Sequence, residues 1–236
     1  MIIHCITKHT VSDTSSGDTV KTVKAAEPKA SYTKEARHER ATGKRIAAII
    51  FWVLAIACEV CFFLTLNKTI FVKNYQLYVQ IGLLVLDLIF VIVGSQFWKR
   101  ANDVDPASDQ NSLKFFLQNQ MGLIVSILAF VPIVIVLLTN KDLDKKTKKI
   151  LVPVAAVALI LAGALSIDWN PISEEEYNAT AQALQGEQVY YTPFGKSYHL
   201  DPDCRALKNS SNIYVGTIEE ALEAGRHDPC DFCVEQ

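Results

Sequence analysis

Catalytic signatures are missing from this chain of 236 residues. There is no Gly-x-Ser-x-Gly turn to raise a nucleophilic serine, no glycine-rich phosphate loop, and no His-Glu-x-x-His helix to hold a catalytic zinc. These absences leave little to build a reaction on, and the expectation is a protein that is not an enzyme. A strong charge of either sign is also missing, because the formal net charge is only −2; overall charge therefore points to no class of partner. No apolar run precedes residue 46, so no signal peptide is expected. Cysteine is scarce, with six in all, and the three between Tyr190 and Cys233 leave an odd thiol, which argues against an oxidised framework.

What the chain has in quantity is apolar side chains, at 50% of residues. They are gathered into four blocks, residues 46–66, 77–98, 121–139 and 150–167. Each comes close to, or exceeds, the roughly 20 residues needed to cross the hydrocarbon of a bilayer. None shows the polar face of a soluble bundle helix, and none contains Lys, Arg or His. The pattern predicts an all-α membrane domain of four transmembrane helices over residues 46–168. Arg45, Trp52 and Lys68 suit the ends of the first span. Between the second and third spans, Ser112 to Gln118 is amphipathic, with Leu113, Phe115, Phe116 and Leu117 available to membrane lipid.

Two acids fall inside the spans, Glu59 in the first and Asp87 in the second. A charge in hydrocarbon costs several kcal/mol unless it is paired or protonated. Neighbouring helices can bring two such carboxyls together to share a proton. One reading is a proton or cation site in a small transporter; the plainer one is a hydrogen-bonded link between helices. Cys58 and Cys61 flank Glu59 at helical spacing, so a metal site with the two acids is conceivable. Cysteine in a span also serves simply as a small apolar residue.

Residues 1–45 are polar and without period, nine basic against five acidic, and are expected to be a disordered basic tail. Within them, Lys34 to Arg45 has the makings of a short basic helix on a membrane surface. His4, Cys5 and His9 are too sparse to form a metal site. Residues 169–186 read as a tether, with Ser173 as helix cap, Glu174 to Glu176 in the first turn and Gly186 at the close.

Residues 187–236 carry the strongest signal. His199 and Cys204 form a His-x4-Cys pair, and Cys230 and Cys233 form a Cys-x2-Cys knuckle after a 25-residue insert. Two pairs of such donors complete a tetrahedron around one zinc ion, and so small a segment needs a staple of that kind. Two alternatives stand beside this: a local disulfide between Cys230 and Cys233, and His227 in place of His199. Alternation at Val189 to Thr192, a turn at Pro193-Phe194-Gly195, a returning strand at Tyr198-His199 and a third strand at Ile213 to Val215 predict a small sheet. Thr217 with Glu220 predicts a capping box for a helix that ends at Gly225.

This segment resembles the Ada-type zinc-binding module, on Thr192, Gly195, Tyr198, Cys204-Arg205, Glu220-Ala221-Leu222, Ala224-Gly225, Pro229-Cys230 and Cys233. The resemblance covers about a fifth of the chain. It implies a small α+β fold with one structural zinc. In Ada the first of four cysteines accepts a methyl group from damaged DNA; the corresponding position here is His199, which binds zinc but is not that thiolate. Charge also speaks against nucleic acid, since four basic residues stand against nine acidic ones from Glu187 to Gln236.

The whole therefore reads as a multi-pass membrane protein carrying an interaction or sensing module with one structural zinc, with membrane lipid and an unidentified protein as partners. A small proton- or cation-coupled transporter using Glu59 and Asp87 is the alternative. Basic residues near the spans number nine on the side of the termini and seven on the other. Zinc-binding thiols belong in a reducing compartment, which places both termini in the cytoplasm of a protein in the cell membrane.

Overall fold

A computed structural model of the chain describes residues 22–25, 33–70 and 75–234. The expectations for His4, Cys5 and His9, and for most of residues 1–32, lie outside the described residues. The elements run β1 (Thr22–Ala25), α1 (Lys34–Leu66), α2 (Gln76–Val104), α3 (Ser112–Asn119), α4 (Met121–Thr139) and α5 (Lys145–Ser166). They continue with α6 (Glu174–Ala183), β2 (Val189–Tyr191), β3 (Ser197–His199), β4 (Asn212–Gly216), α7 (Ile218–Glu223) and β5 (Asp228–Pro229).

The four predicted spans are all present as helices, α1, α2, α4 and α5, each long and apolar enough to cross a membrane. α1 packs chiefly on α2, and α4 chiefly on α5, with α2 touching both α4 and α5. The interior is apolar, around Phe62, Leu84, Val91, Phe130, Ile133, Leu137 and Leu151. Small residues let the axes approach, as expected where packing rather than water exclusion drives association. Ala155, Ala158 and Ala162 make one buried stripe on α5. Gly94 on α2 lies under Trp52 of α1, where a Cβ would stand 2.6 Å from the indole ring. Trp52 is therefore a buried filler between α1 and α2 rather than an anchor at a membrane surface. Its ring centroid is 5.3 Å from that of Trp98. The outward faces remain apolar, with Ile50, Val53, Leu128 and Ile160 all exposed.

α1 begins twelve residues before the apolar block it was predicted to match. Its 33 residues measure about 50 Å at 1.5 Å per residue, against roughly 30 Å of hydrocarbon. Residues 34–45 are thus not a disordered tail, nor a helix lying on a surface; they carry α1 on as a polar stub. The Thr33 hydroxyl caps it by accepting from the Ala36 amide at 3.4 Å, and Glu35 sits in the first turn. α2 is likewise extended to Val104, and Ala41, Ala101 and Val104 pack between the two stubs. Polar neighbours then fix the pair. The Asp105 carboxylate accepts from Arg45 Nη1 at 2.9 Å and lies 2.9 Å from His38 Nδ1.

Amphipathic α3 forms where expected. Asn111 caps it, and the Trp98 indole N–H donates to the Gln118 carbonyl at 2.7 Å, holding it against the end of α2. Leu113, Phe116 and Leu117 stay exposed.

The C-terminal part is a five-stranded sheet in the order β1-β4-β2-β3-β5 with one helix. β2 and β3 form the predicted hairpin, with Tyr190 opposite His199. β4 runs antiparallel to β2. Two edge strands were not foreseen: β5 lies parallel to β3, and β1 lies parallel to β4. β1 falls within the stretch expected to be disordered. The Thr217–Glu220 capping box forms as predicted, and Gly225, at φ +76°, turns the chain out of α7. Ile218, Ala221 and Leu222 on α7 bury against Val189 and Tyr198 of the sheet and Tyr177 of α6.

Candidate metal centre and its mounting on the helix ends

His199, Cys204, Cys230 and Cys233 converge. One donor atom from each lies within 4.8 Å of all the others. His199, Cys204 and Cys230 are buried, and Cys233 is partly so. The Cys204 and Cys230 sulfurs are 3.7 Å apart, and Cys233 Sγ is 3.7 Å from His199 Nδ1. Metal–sulfur bonds of about 2.3 Å at tetrahedral angles hold two sulfurs about 3.8 Å apart. The spacing is thus that of thiolates around one ion, and far beyond a disulfide's roughly 2.05 Å. All three cysteines are free.

Local structure explains the convergence. His199 is the last residue of β3, delivered by a hairpin whose Thr192 hydroxyl accepts from the Gly195 amide at 3.0 Å. Asp201 then folds the chain back. Its carboxylate accepts from the Asp203 amide at 2.9 Å, and its carbonyl accepts from the Cys204 amide at 3.2 Å. A short 3-10 turn, Arg205–Leu207, follows and seats Leu207 in the interior beside the sulfurs. From the other end, β5 brings in the knuckle. The Cys230 amide donates to the Tyr198 carbonyl at 3.1 Å, and the Cys233 amide donates to the Cys230 carbonyl at 3.3 Å. Burial holds the His199 imidazole below its ordinary 6.5, so the neutral form that ligates metal is the resting one. Three sulfurs and one imidazole nitrogen gathered this closely could hold one metal ion.

His227, the alternative fourth ligand, is occupied elsewhere. Its Nε2 is 3.1 Å from the Leu222 carbonyl and 3.5 Å from Asp103 Oδ1. Among the described residues, no second group of three or more His, Cys, Asp or Glu donors gathers. The conceivable membrane metal site of Cys58, Cys61, Glu59 and Asp87 is therefore not assembled. Glu59 and Asp87 do lie on packed neighbours, α1 and α2. Asp87 is buried at 1% exposure, and neither of its oxygens meets a donor among the described residues. Glu59 is only partly buried.

The sequence reading missed how the module is mounted. The acidic face of α7 and α6 sits on the polar stubs of α1 and α2. Arg40 donates to the Glu223 carboxylate at 2.6 Å, and Lys34 reaches Glu174 at 2.5 Å. The Arg37 guanidinium lies 4.1 Å over the Tyr177 ring. The approach is close enough that a Cβ on Gly225 would come within 3.2 Å of the Asp103 carboxylate. α6 is more than a tether. Its Glu174 amide donates to the Ala107 carbonyl at 3.0 Å, and its Glu175 carboxylate accepts from Ser108 at 2.5 Å and the Asp109 amide at 3.0 Å. The signal available in the sequence was complementary charge, a basic run at 34–45 and an acidic module.

No family model, no curated protein and no solved structure matches this chain.

Proposed function

We propose that this is a multi-pass membrane protein, not an enzyme, whose C-terminal module is built around one structural zinc ion and acts as an interaction or sensing element. The observation that carries the reading is the convergence of His199, Cys204, Cys230 and Cys233 within 4.8 Å. The donor set of three thiols and one imidazole supports zinc, and the Ada-type resemblance supports the same choice. Both termini face the cytoplasm, where the thiols stay reduced. Because α6 and α7 rest on the ends of α1 and α2, a protein partner bound to the module, or a change in its metal, acts directly on the membrane helices. Exposed Phe194 and Phe232, on the hairpin turn and the knuckle, offer the partner apolar anchors.

Elemental analysis of the full chain purified under reducing conditions tests this. The expected result is one zinc per chain, abolished by Cys204→Ser and Cys230→Ser and weakened by His199→Ala. Protein without zinc overturns the reading.

A second reading rests on Asp87. A carboxylate buried among apolar helices without a donor must be protonated or must meet a cation. That supports proton- or cation-coupled transport through Asp87, with Glu59 beside it. Flux into proteoliposomes should then be abolished by Asp87→Asn and Glu59→Gln; unchanged flux removes this reading.

A further inference from the structure

The outer edge of β4 is covered by a segment from far away in the chain. Thr22–Ala25 runs parallel to it, with Thr22 level with Asn212, Val23 with Ile213, Lys24 with Tyr214 and Ala25 with Val215. The edge itself is firmly placed. On its inner side β4 pairs with β2. Ile213 is buried beside Cys204, Leu207 and Cys230, and the Tyr214 ring centroid lies 5.6 Å from that of Tyr191. A strand fixed in this way loses little freedom when its outer side is paired.

The strand that covers this edge is a weak hold. It has four residues, and parallel pairing is slightly less stable per residue than antiparallel. No hairpin ties it to β4, because β1 precedes the whole helical bundle in the chain. Within the sheet its neighbour is β4 alone. Its sequence, Thr-Val-Lys-Ala, is only half suited to a strand: Thr22 and Val23 are β-branched, whereas Lys and Ala are depleted in strands. β5, at the opposite edge, is shorter, yet Cys230 follows it directly and fastens it to the interior. An edge of unpaired amides and carbonyls is a template for any extended chain. A better-matched strand competes with β1 for those same groups.

We propose that the outer edge of β4 is a strand-addition site for an extended segment of a partner protein, and that Thr22–Ala25 closes it when no partner is bound. The partner segment runs parallel to β4. It carries β-branched or aromatic residues at the positions level with Tyr214 and Val215, where this chain has Lys24 and Ala25. Proline at the paired positions excludes a segment, because it has no N–H to donate. The site rests on the reading of the module as an interaction element, though not on which metal fills it.

The test is fluorescence anisotropy on the full chain in detergent, with a labelled peptide of residues 18–29 carrying Lys24→Thr and Ala25→Val. Three full chains are compared: the parent, Val23→Pro with Lys24→Pro, which opens the edge, and Lys24→Thr with Ala25→Val, which closes it more firmly. The peptide should bind the proline variant at least tenfold more tightly than the parent, and the third chain more weakly than the parent. The same peptide carrying Val23→Pro and Lys24→Pro should not bind. Hydrogen exchange of the β4 amides should rise in the proline variant and fall when the peptide is added. Should the prolines unfold the module, the parent and the third chain alone decide the matter. Equal affinity for all chains, no binding to a folded proline variant, or binding of the proline-bearing peptide overturns the proposal. So does a dimer of the parent that the proline variant loses, since a second copy then occupies the edge. Zinc measured in the same samples separates the two readings. One zinc per chain without peptide binding removes this site alone, whereas peptide binding by protein without zinc keeps the site and removes the zinc centre.

Discussion

Between α1 and α5 the interior is filled mostly by apolar side chains packed on one another, with Asp87 the buried exception, whereas around β3 and β5 it is shared between apolar side chains and four residues that could hold a metal. In the bundle, Phe62, Phe130, Leu137 and Leu151 interlock with the alanines of α5. In the module, one of the two apolar clusters consists of Cys204, Leu207, Ile213 and Cys230, so half of it is thiol. The difference follows from size and solvent. Helices in lipid bury their backbone polar groups internally and need only close packing. A domain of some fifty residues buries little apolar area by itself and gains from a staple of the kind that His199, Cys204, Cys230 and Cys233 could hold. The two parts should therefore fail separately, for different reasons.

The largest effect should come from the metal. Structural zinc contributes on the order of 10 kcal/mol of linked folding energy at neutral pH. Cys230→Ser, or a strong chelator, should unfold residues 189–234 in the full chain. It should open the module to protease while the helical circular dichroism of α1, α2, α4 and α5 persists. A tail that stays protease-resistant without metal would break the comparison, because the apolar clusters would then suffice by themselves.

The converse is a lesion in the bundle. A methyl group at Gly94 would stand 2.6 Å from Trp52, whereas one at Gly82 meets nothing within 4 Å. Gly94→Ala should cost about 1–3 kcal/mol, the usual penalty of overpacking, and Gly82→Ala close to nothing. Unfolding in a denaturing detergent series reads the difference, and zinc stoichiometry should not change in either variant.

These two regions were legible in the sequence to different depths, and the joint between them was not. Apolar blocks without a single Lys, Arg or His announce spans, because hydrocarbon admits few alternatives. The donor spacing announces the convergence of His199, Cys204, Cys230 and Cys233, because tetrahedral coordination admits few spacings. The capping box at Thr217 and the cap at Ser173 are local signals that the fold keeps. By contrast, residues 34–45 lack an apolar stripe and look unstructured, since their stabilising partners are remote in sequence. Arg40 meets Glu223 and Arg37 meets Tyr177. Edge strands β1 and β5 were likewise invisible, as two to four residues carry no period of their own.

The joint offers the next test. The Arg40–Glu223 pair is half withdrawn from water, with side-chain exposures of 33% and 14%. That favours an effect above the zero to 1 kcal/mol of a surface pair. Arg40→Glu should weaken docking by about 1–2 kcal/mol, and adding Glu223→Arg should restore part of the loss, as directly coupled residues do. Hydrogen exchange of the α7 amides reports it. Equal exchange in all variants would show that the Arg40–Glu223 pair carries none of the docking.

The smallest effect is a dependence of that joint on pH. Burial lowers the His227 imidazole below its ordinary 6.5. The groups around it are Asp103 at 3.5 Å, then Asp168 and Glu176. A group depressed on folding contributes stability that is fully present above its unfolded value and lost as pH falls through the folded one. His227 alone should thus cost α7 protection as the solution is acidified below 6.5. Burial pushes the neighbouring carboxyls the other way, Asp103 from 3.8 up to about 7, and Asp168 and Glu223 above their ordinary values; a raised carboxyl contributes stability that is complete below its unfolded value and fades as pH rises. Three such groups outweigh one imidazole, so protection of α7 should rise as pH falls from about 7. His227→Gln removes the opposing contribution and should steepen that rise. Zinc content followed in the same samples separates the joint from the metal centre. A decline that tracks zinc loss and is identical in His227→Gln would place the pH sensitivity in the cysteines, and the joint would then be insensitive to protons.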